Sequence, residues 1–493
     1  MKALLLFLAG ILCFVSYAQD GSLDISFGDG GIVVMDIENS HDMGWYLAQQ
    51  ADGKIIVSGA TSPDTNNFYS ILVRYLPDGT LDTSFGTNGV VTQDYVSWYG
   101  DQGFLSIDNT GNIITAGVVY QNSNTYFIIA RYLENGQLDY SFGTDGIVSF
   151  QGVYNIILLS DGSFLLLLFT ASDEISISHY LNDGTLDVLF GTNGTAVSTF
   201  SGESFRIRET KVDGQENIFL LGTRDNNANS DIILMKFQPS GYLDSNFGNN
   251  GVVTKNIDAL NPMNFSSASL DFTPDGKPVI AGSCGACVDL FEPVMQPFFI
   301  RYLNDGSPDS SFGNNGTILL PVSGFSISQL FVQENQSMIV SGRLLDCFEG
   351  SIYVVNRYFE GGFIDNSFNG ASLEFDYYQT ILQQDGKILS VGNTYWYDGQ
   401  EDIVLLRHNN NPLSVPEFQN QIATIYPNPS NGIFTLNYEL FSEKIPYQIS
   451  DITGKVIATG ELTEKQSQLD LSSAQNGVYF LKTNNRVFKL LKD

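Results

Sequence analysis

Basic residues are scarce in this chain of 493 residues, which carries 23 lysines and arginines against 54 aspartates and glutamates. The resulting formal charge of −31 repels a phosphate backbone, so nucleic acid is not expected as a partner. Twelve of the 37 aspartates stand in Asp-Gly pairs spread along the chain, which is typical of solvated turns.

Histidine is rarer still, with three scattered copies that leave little for general-base chemistry. No Gly-rich phosphate loop, nucleophile elbow or His-centred triad appears. Paired acids could cleave glycosides, but acids occur everywhere here and no two stand out. The sequence therefore favours a binding or structural module without cofactor or metal. A carbohydrate-active enzyme, either a glycoside hydrolase or a lyase, stays open as the alternative.

Cysteine occurs four times, and three copies lie beyond the first residues, namely Cys284, Cys287 and Cys347. If the protein is exported, this set predicts one disulfide and one free thiol, or a pair across neighbouring units of the sequence repeat described below. A zinc site would need a fourth ligand, and the histidines lie in other units.

Long hydrophobic runs are missing apart from Ala3 to Val15, which is shorter than the roughly 20 residues that span a bilayer. Ser16-Tyr17-Ala18 follows this run and places small residues where a signal peptidase reads them. We therefore predict a signal peptide over residues 1–18, with cleavage between Ala18 and Gln19. No transmembrane segment is predicted in the mature chain.

What the chain does contain is a repeat, the hexapeptide Leu-Asp-x-Ser-Phe-Gly or a near copy of it. The seven copies begin at Leu23, Leu81, Leu138, Leu186, Leu243, Pro308 and Ile364. Each unit reads as four short strands divided by turns, without a helical period. This pattern predicts an all-β fold, a seven-bladed β-propeller over residues 19–408. A straight β-solenoid is the less favoured reading.

The first unit begins almost directly on a hexapeptide, and the last unit ends on its third strand. One strand is thus missing at each end. We predict that Gly31 to Ile37 becomes the outer strand of the last blade, which would close the ring.

Two charged positions recur in every unit. The third strand carries a cation, at Arg74, Arg131, His179, Lys236, Arg301, Arg357 and Arg407. The hexapeptide carries an acid, at Asp24, Asp82, Asp139, Asp187, Asp244, Asp309 and Asp365. A feature present in all units is architectural, so we expect charge-assisted hydrogen bonds between the two sets.

Alternating strand directions divide the connections between two faces. The Asp-Gly turns and the hexapeptides share one face, which we call the uniform face. The second-to-third-strand loops and the unit-to-unit loops share the other, the variable face, where a ligand site is expected. The aromatic loops of this face are the candidate ligand contacts, and they suit a glycan. The first loop carries Tyr95, Trp98 and Tyr99, and the second carries Tyr395, Trp396 and Tyr397 with Asp398, Glu401 and Asp402 beside them.

Asp225 to Asp231 places oxygen ligands at the alternate positions of a calcium loop. However, Ser230 replaces the glycine of that motif, and Lys236 stands where its bidentate glutamate belongs. A polar turn is therefore predicted.

The units resemble delta-60 repeats, as "QADGKIIVSG" and "LVRYLPDGTLDTSFGTNGVV" illustrate, and the resemblance covers residues 23–408. Individual copies depart from the pattern at Pro308, Leu189, Asn246 and Asn369. The resemblance implies a propeller-like β-structure and no known chemistry.

Residues 409–421 carry no strand pattern and are predicted to be a linker. Short alternating strands over 422–493 then predict a small Ig-like β-sandwich. This tail is similar to the type A sorting domain of type IX secretion through "YPNPSNGIFTL", "ISDITGKVI", "LDLSSAQNGVYFLK" and "VFKLLKD". The residues that carry the similarity are Pro427, Asn428, Pro429, Gly432, Asp451, Gly454, Gly477, Tyr479, Lys489 and Lys492.

That resemblance implies a Bacteroidota-type cell, passage across the outer membrane and the type IX machinery as a partner. It also implies a secreted or cell-surface protein. A further partner, a glycan or a protein ligand, would bind at the variable face.

Overall fold

The computed structural model divides into two compact units, Met1–Leu413 and Ser414–Asp493, and each is described by itself. It describes residues 20–63, 68–93, 103–121, 124–151, 155–170, 174–200, 205–226, 229–256, 265–289, 292–320, 324–346, 350–368, 370, 373–394, 401–410, 423–438, 445–451, 455–462, 466–483 and 486–493. Every regular element in these ranges is a β-strand. None of the described residues forms a helix with the length and hydrophobicity of a membrane span.

The described part of the first unit contains seven four-stranded antiparallel sheets. After β1 (Ile32–Met35), the first three sheets consist of β2 (His41–Gln49), β3 (Ile55–Ser62), β4 (Tyr69–Tyr75) and β5 (Val90–Gln93); β6 (Phe104–Ile107), β7 (Ile113–Gln121), β8 (Asn124–Tyr132) and β9 (Ile147–Gln151); and β10 (Asn155–Leu158), β11 (Phe164–Thr170), β12 (Glu174–Tyr180) and β13 (Thr195–Thr199). The next three consist of β14 (Phe205–Val212), β15 (Ile218–Asn226), β16 (Asn229–Phe237) and β17 (Val252–Lys255); β18 (Phe265–Phe272), β19 (Pro278–Asp289), β20 (Glu292–Arg301) and β21 (Thr317–Leu319); and β22 (Phe325–Val332), β23 (Met338–Asp346), β24 (Gly350–Tyr358) and β25 (Leu373–Glu374). The last sheet combines β26 (Asp376–Leu382), β27 (Ile388–Asn393) and β28 (Ile403–His408) with β1.

Local sequence explains how each unit turns. In the first sheet, the amide of Gln50 donates to the carbonyl of Lys54 at 2.8 Å, and the Asp52 carboxylate accepts the Lys54 amide at 3.1 Å. Gly53 completes this turn at φ +85°, a conformation that glycine adopts without steric cost. The Asp52-Gly53 pair is thus a turn, as its composition indicates.

The hexapeptide ends in a tighter connection. Gly86 lies at φ +51°, and a Cβ there would come within 2.4 Å of the Val90 carbonyl oxygen. Phe85, one residue earlier, is fully buried. The Phe-Gly step therefore anchors the connection in the core and then reverses the chain.

The N-terminal strand closes the last sheet, as predicted. β1 pairs with β28 in antiparallel register, from Ile32 opposite Leu406 to Met35 opposite Ile403. Leu23 adds an isolated bridge to His408. The first and last parts of the unit are therefore joined by backbone hydrogen bonds, at what we call the seam.

Apolar clusters lie between consecutive sheets. Across the seam, Phe27, Val57, Leu389 and Leu405 belong to one buried cluster. Corresponding clusters join the other neighbouring sheets in order. Each sheet is consequently stabilised by burial on both of its faces.

A second set of contacts joins the first strands of neighbouring sheets and was not predicted. Side-chain oxygens on one such strand accept backbone amides of the next. The described examples are Glu209 with Leu270, Ser269 with Leu330, Asp271 with Val332, Gln329 with Thr380 and Gln379 with Leu47. These bonds tie one sheet to the next without a covalent link.

The second unit contains two sheets in its described part. They comprise β29 (Ala423–Tyr426), β30 (Ile433–Tyr438) and β33 (Gln466–Asp470) in one, and β32 (Val456–Leu462), β31 (Ile445–Asp451), β34 (Gly477–Thr483) and β35 (Arg486–Lys492) in the other. Phe434 and Leu469 of the first sheet share a buried cluster with Ile449, Leu481 and Leu490 of the second. The two sheets therefore pack on a common core.

Candidate functional site

The recurring cations pair with the recurring acids, which confirms the prediction made from the repeat. The pairs are Arg74–Asp82 (2.8 Å), Arg131–Asp139 (2.7 Å), His179–Asp187 (3.0 Å), Lys236–Asp244 (3.2 Å), Arg301–Asp309 (2.9 Å), Arg357–Asp365 (2.8 Å) and Arg407–Asp24 (2.9 Å). The last pair joins the first hexapeptide to the last sheet, because β1 lies in that sheet.

Each arginine does more than bind its aspartate, as Arg74 illustrates. Its Nε donates to Asp82, and its Nη1 donates to the carbonyl of Glu134 in the next unit at 2.5 Å. The guanidinium also lies 4.5 Å from the centroid of the Phe85 ring. A planar group with several donors is suited to this triple role. The side chain therefore connects a strand, its own hexapeptide and the neighbouring turn.

Two of these aspartates, Asp24 and Asp309, have pKa values well below the usual range. Burial alone would raise the pKa of Asp24, but hydrogen bonds from Ser26 and Lys387, with the charge of Arg407, lower it to about 2. The pKa of Asp309 falls to about 2 in the same way, through Ser311 and the charges of Arg301 and Lys277. The uniform face thus has its recurring charges engaged in structure.

On the variable face, the candidate aromatics Tyr95, Trp98, Tyr99, Tyr395, Trp396 and Tyr397 lie outside the described residues, as do Ala18 and Gln19. The strands on either side of the first aromatic loop are described. β5 ends at Gln93 and β6 begins at Phe104.

A cavity lies between the first and second sheets. Gln93 and Gly103, which flank residues 94–102 in the chain, both line it. Trp45 and Tyr46 supply aromatic surface, and Ser70 supplies a hydroxyl. The cavity therefore combines apolar and hydrogen-bonding groups, and two of its lining residues flank the predicted aromatic loop.

A group of acids lies at the seam, and the sequence singles out only Asp402 among its members, as a neighbour of an aromatic loop. One carboxylate oxygen from each of Asp36, Asp42 and Asp402 lies within 4.8 Å of the other two. Asp36 follows β1, Asp42 lies in β2, and Asp402 precedes β28. No sequence motif could reveal this group, because only the pairing of β1 with β28 brings its members together.

The cysteines are resolved in part. Cys284 in β19 is a buried free thiol, and burial raises its pKa to about 11. It therefore takes no part in a disulfide in this structure. The Cys287 side chain and Cys347 lie outside the described part of the chain.

The segment from Asp225 to Asp231 joins β15 to β16. Asn226 pairs with Asn229, and Asp225 pairs with Ser230, across a tight hairpin. Arg224 contacts the Asp231 carboxylate at 3.4 Å. The described residues here follow the ladder of a hairpin, as expected for a polar turn.

In the second unit, residues of the sorting motif contact one another from opposite ends of the tail. Asn428 donates to the carbonyl of Lys489 at 2.7 Å and accepts the amide of Leu491 at 2.8 Å. Lys492 donates to the carbonyl of Ala474 at 2.5 Å. The Pro-Asn-Pro segment is therefore fastened to β35.

Other motif residues hold turns or the core. Gly432 lies at φ +119°, with the Ser472 backbone 2.7 Å from the position of a Cβ. The Tyr479 hydroxyl donates to the carbonyl of Gln475 at 2.6 Å. Asp451 accepts the amide of Lys455 at 3.1 Å, and Gly454 lies outside the described residues.

Comparison with protein families agrees with this division. Residues 424–492 match the secretion system C-terminal sorting domain. Residues 50–85, 109–142 and 383–411 match a domain of unknown function described as a beta-propeller. No curated protein matches the chain.

Several solved structures are similar in part. Polysaccharide lyase Uly1 is 11% identical with a TM-score of 0.47, and the match covers 81% of this chain and 94% of that one. A protein of unknown function from Dyadobacter fermentans is 11% identical with a TM-score of 0.37, and the match covers 77% of this chain and 98% of that one. The WD40 domain of Toxoplasma gondii coronin is 9% identical with a TM-score of 0.41, and the match covers 82% of this chain and 91% of that one. Likenesses this distant carry no argument about activity.

The repeated four-stranded sheets and the family matches together identify a β-propeller protein. More particularly, the chain carries a type IX C-terminal sorting domain, which directs export to the cell surface or the extracellular space.

Proposed function

We propose that this protein is an exported binding module, a seven-bladed β-propeller that presents its variable face to a ligand outside the cell. The cavity between the first and second sheets is the observation that carries the proposal. Its lining includes Gln93 and Gly103, which flank a loop assigned to the variable face, whereas the recurring charges of the uniform face are engaged in structural contacts. Binding residues are commonly placed on loops that a rigid scaffold holds.

A glycan is the ligand class that fits the cavity lining. Sugar rings stack their apolar faces on aromatic side chains and exchange hydrogen bonds through their hydroxyls. Trp45 and Tyr46 offer the first kind of contact, and Ser58, Ser70 and Gln93 offer the second. A binding role agrees with the sequence, in which no catalytic pair stands out. The polysaccharide lyase likeness adds no argument for cleavage, because its TM-score is too low.

The remaining sequence predictions complete the proposal. Residues 1–18 act as a signal peptide, residues 409–421 link the two units, and residues 422–493 form an Ig-like sandwich that the type IX machinery recognises. The tail is removed or retained at the surface of a Bacteroidota-type cell.

A glycan array probed with the purified chain tests the binding role. A Gln93→Ala variant should lose affinity for any glycan that the wild type retains, because Gln93 lines the cavity. Gln151→Ala is the matched control, since Gln151 ends the fourth strand of the next sheet and does not line the cavity. Absence of glycan binding, or equal binding by the two variants, would contradict the proposal. Release of shortened glycans would instead support the enzymatic alternative.

A further inference from the structure

The acids at the seam come from three segments that meet only when the first unit is closed. Asp36 and Asp42 lie on either side of the connection between β1 and β2, and Asp402 stands directly before β28. Backbone bonds hold the segments together, since the amide of Asp42 donates to the carbonyl of Glu401 at 2.7 Å. The arrangement therefore follows from the closure itself.

Asp42 is the unusual member of this group. Its side chain is fully buried, at 0% exposure. One carboxylate oxygen accepts the amide of Ile37 at 2.5 Å, whereas Oδ1 is buried without a hydrogen-bond partner. An unsatisfied buried charge is costly, because it has lost water and gained nothing in return. The unpaired Oδ1 of Asp42 is therefore suited to bind a positively charged group.

Within the described part of the chain, the three carboxylates of Asp36, Asp42 and Asp402 have no lysine or arginine as a partner. Three like charges at close range repel one another unless a cation lies between them.

We propose that Asp36, Asp42 and Asp402 bind one divalent cation, calcium, which fastens the seam of the propeller. Calcium takes oxygen ligands at about 2.3–2.6 Å in flexible geometry, so ligand oxygens on one ion lie up to about 5 Å apart. The three carboxylates meet this limit, with their oxygens within 4.8 Å. The site differs from the sequence-based expectation that no metal is bound.

The location of this site implies a structural role. The cation connects the segment after β1, the first strand of the first sheet and the third strand of the last sheet. With three protein carboxylates and water completing the shell, its affinity should fall in the range of extracellular calcium modules, with a Kd of about 10⁻⁴ to 10⁻³ M. Binding to the folded state alone then raises stability as the calcium concentration increases.

Calorimetric titration of the purified full chain with calcium chloride, after removal of metals with a chelator, tests the site. One equivalent should bind, and the midpoint of thermal unfolding should rise with calcium concentration. Asp42→Asn keeps the shape of the side chain but removes its charge, and it should weaken binding at least tenfold. Because a buried substitution could impair folding, Asp36→Asn supplies a second variant at an exposed member of the group.

Asp145→Asn is the matched control. Asp145 is an exposed turn residue at φ +53°, and asparagine stands at the corresponding position of other units, as at Asn88 and Asn193. It removes the same charge as the test variants and should leave calcium binding unchanged. Failure of the wild type to bind calcium, or equal binding by wild type, Asp36→Asn and Asp42→Asn, would overturn the proposal.

Discussion

Substitution of Asp24 by asparagine should destabilise the first unit, because this carboxylate holds the N-terminal segment to the last sheet. Asp24 accepts Arg407 Nε and Lys387 Nζ, each at 2.9 Å, and the Ser26 hydroxyl at 2.7 Å. The Asp24 side chain is nearly buried, at 5% exposure. Asp24→Asn keeps the size of the group but leaves Arg407 without its counter-charge.

The expected loss can be bounded from the contacts that remain. Breaking a buried ion pair by removing one partner costs about 3–5 kcal/mol. Arg407 keeps its bond to the Pro77 carbonyl at 2.5 Å and its position 4.3 Å from the Phe27 ring centroid. We therefore expect a loss of roughly 2–3 kcal/mol in the free energy of unfolding.

Urea unfolding followed by tryptophan fluorescence measures this loss. The three tryptophans lie at positions 45, 98 and 396, so the signal reports the first unit and not the tail. Asp187→Asn is the matched control, because Asp187 occupies the same repeat position but pairs with His179 and is more exposed. Its loss should be clearly smaller than that of Asp24→Asn.

Acid should reproduce the effect in the wild type. An ordinary aspartate has a pKa of about 3.9, whereas Asp24 and Asp309 have pKa values of about 2. A lowered pKa in the folded state means that the stabilisation is complete above about pH 4 and is lost as the pH falls towards about 2. The Asp24→Asn variant should show a shallower decline over this interval.

Two results would refute this reasoning. The first is an equal loss of stability in Asp24→Asn and Asp187→Asn. The second is strict additivity between Asp24→Asn and Arg407→Met, since residues that interact directly should show a coupling energy in a double-mutant cycle.

Two further predictions concern the ends of the chain. Deletion of residues 20–37 should abolish a stable monomer, because it exposes the edge of β28 and removes Asp24. Size-exclusion chromatography and circular dichroism should then show aggregation. A monomer with wild-type stability would contradict this prediction. Asn428→Ala should destabilise the sorting domain by about 1–2 kcal/mol and reduce the exported fraction, because its bonds to β35 are lost. Immunoblots of cell and medium fractions measure export. Gln448→Ala is the control, because Gln448 is exposed. Equal export by the two variants would disprove the role of Asn428.

Much of the architecture could be predicted because it repeats. The hexapeptide spacing revealed the units, and a strand missing at each end required the pairing of β1 with β28. The Arg74–Asp82 pair and its counterparts could be predicted because a motif marks both partners in each unit. Repetition thus turns long-range contacts into a local pattern.

Other features could not be read from the sequence because they vary between units. Glu209, Ser269 and Gln329 make equivalent bonds to neighbouring first strands, yet they share only an acceptor oxygen. The group of acids at the seam could not be predicted from the sequence for a different reason. Asp42 and Asp402 are close in space only because distant strands pair, and no local spacing encodes such proximity.

The pairing of β1 with β28 also has a consequence for biosynthesis. The N-terminal strand leaves the ribosome first, but its partner is made only when the whole first unit is complete. An interrupted polypeptide would therefore expose two open sheet edges, which template association with other chains. Since contacts this far apart in sequence form slowly, the seam makes completion of the fold depend on completion of synthesis. The last sheet can thus be completed by β1 only in a chain that contains the whole first unit.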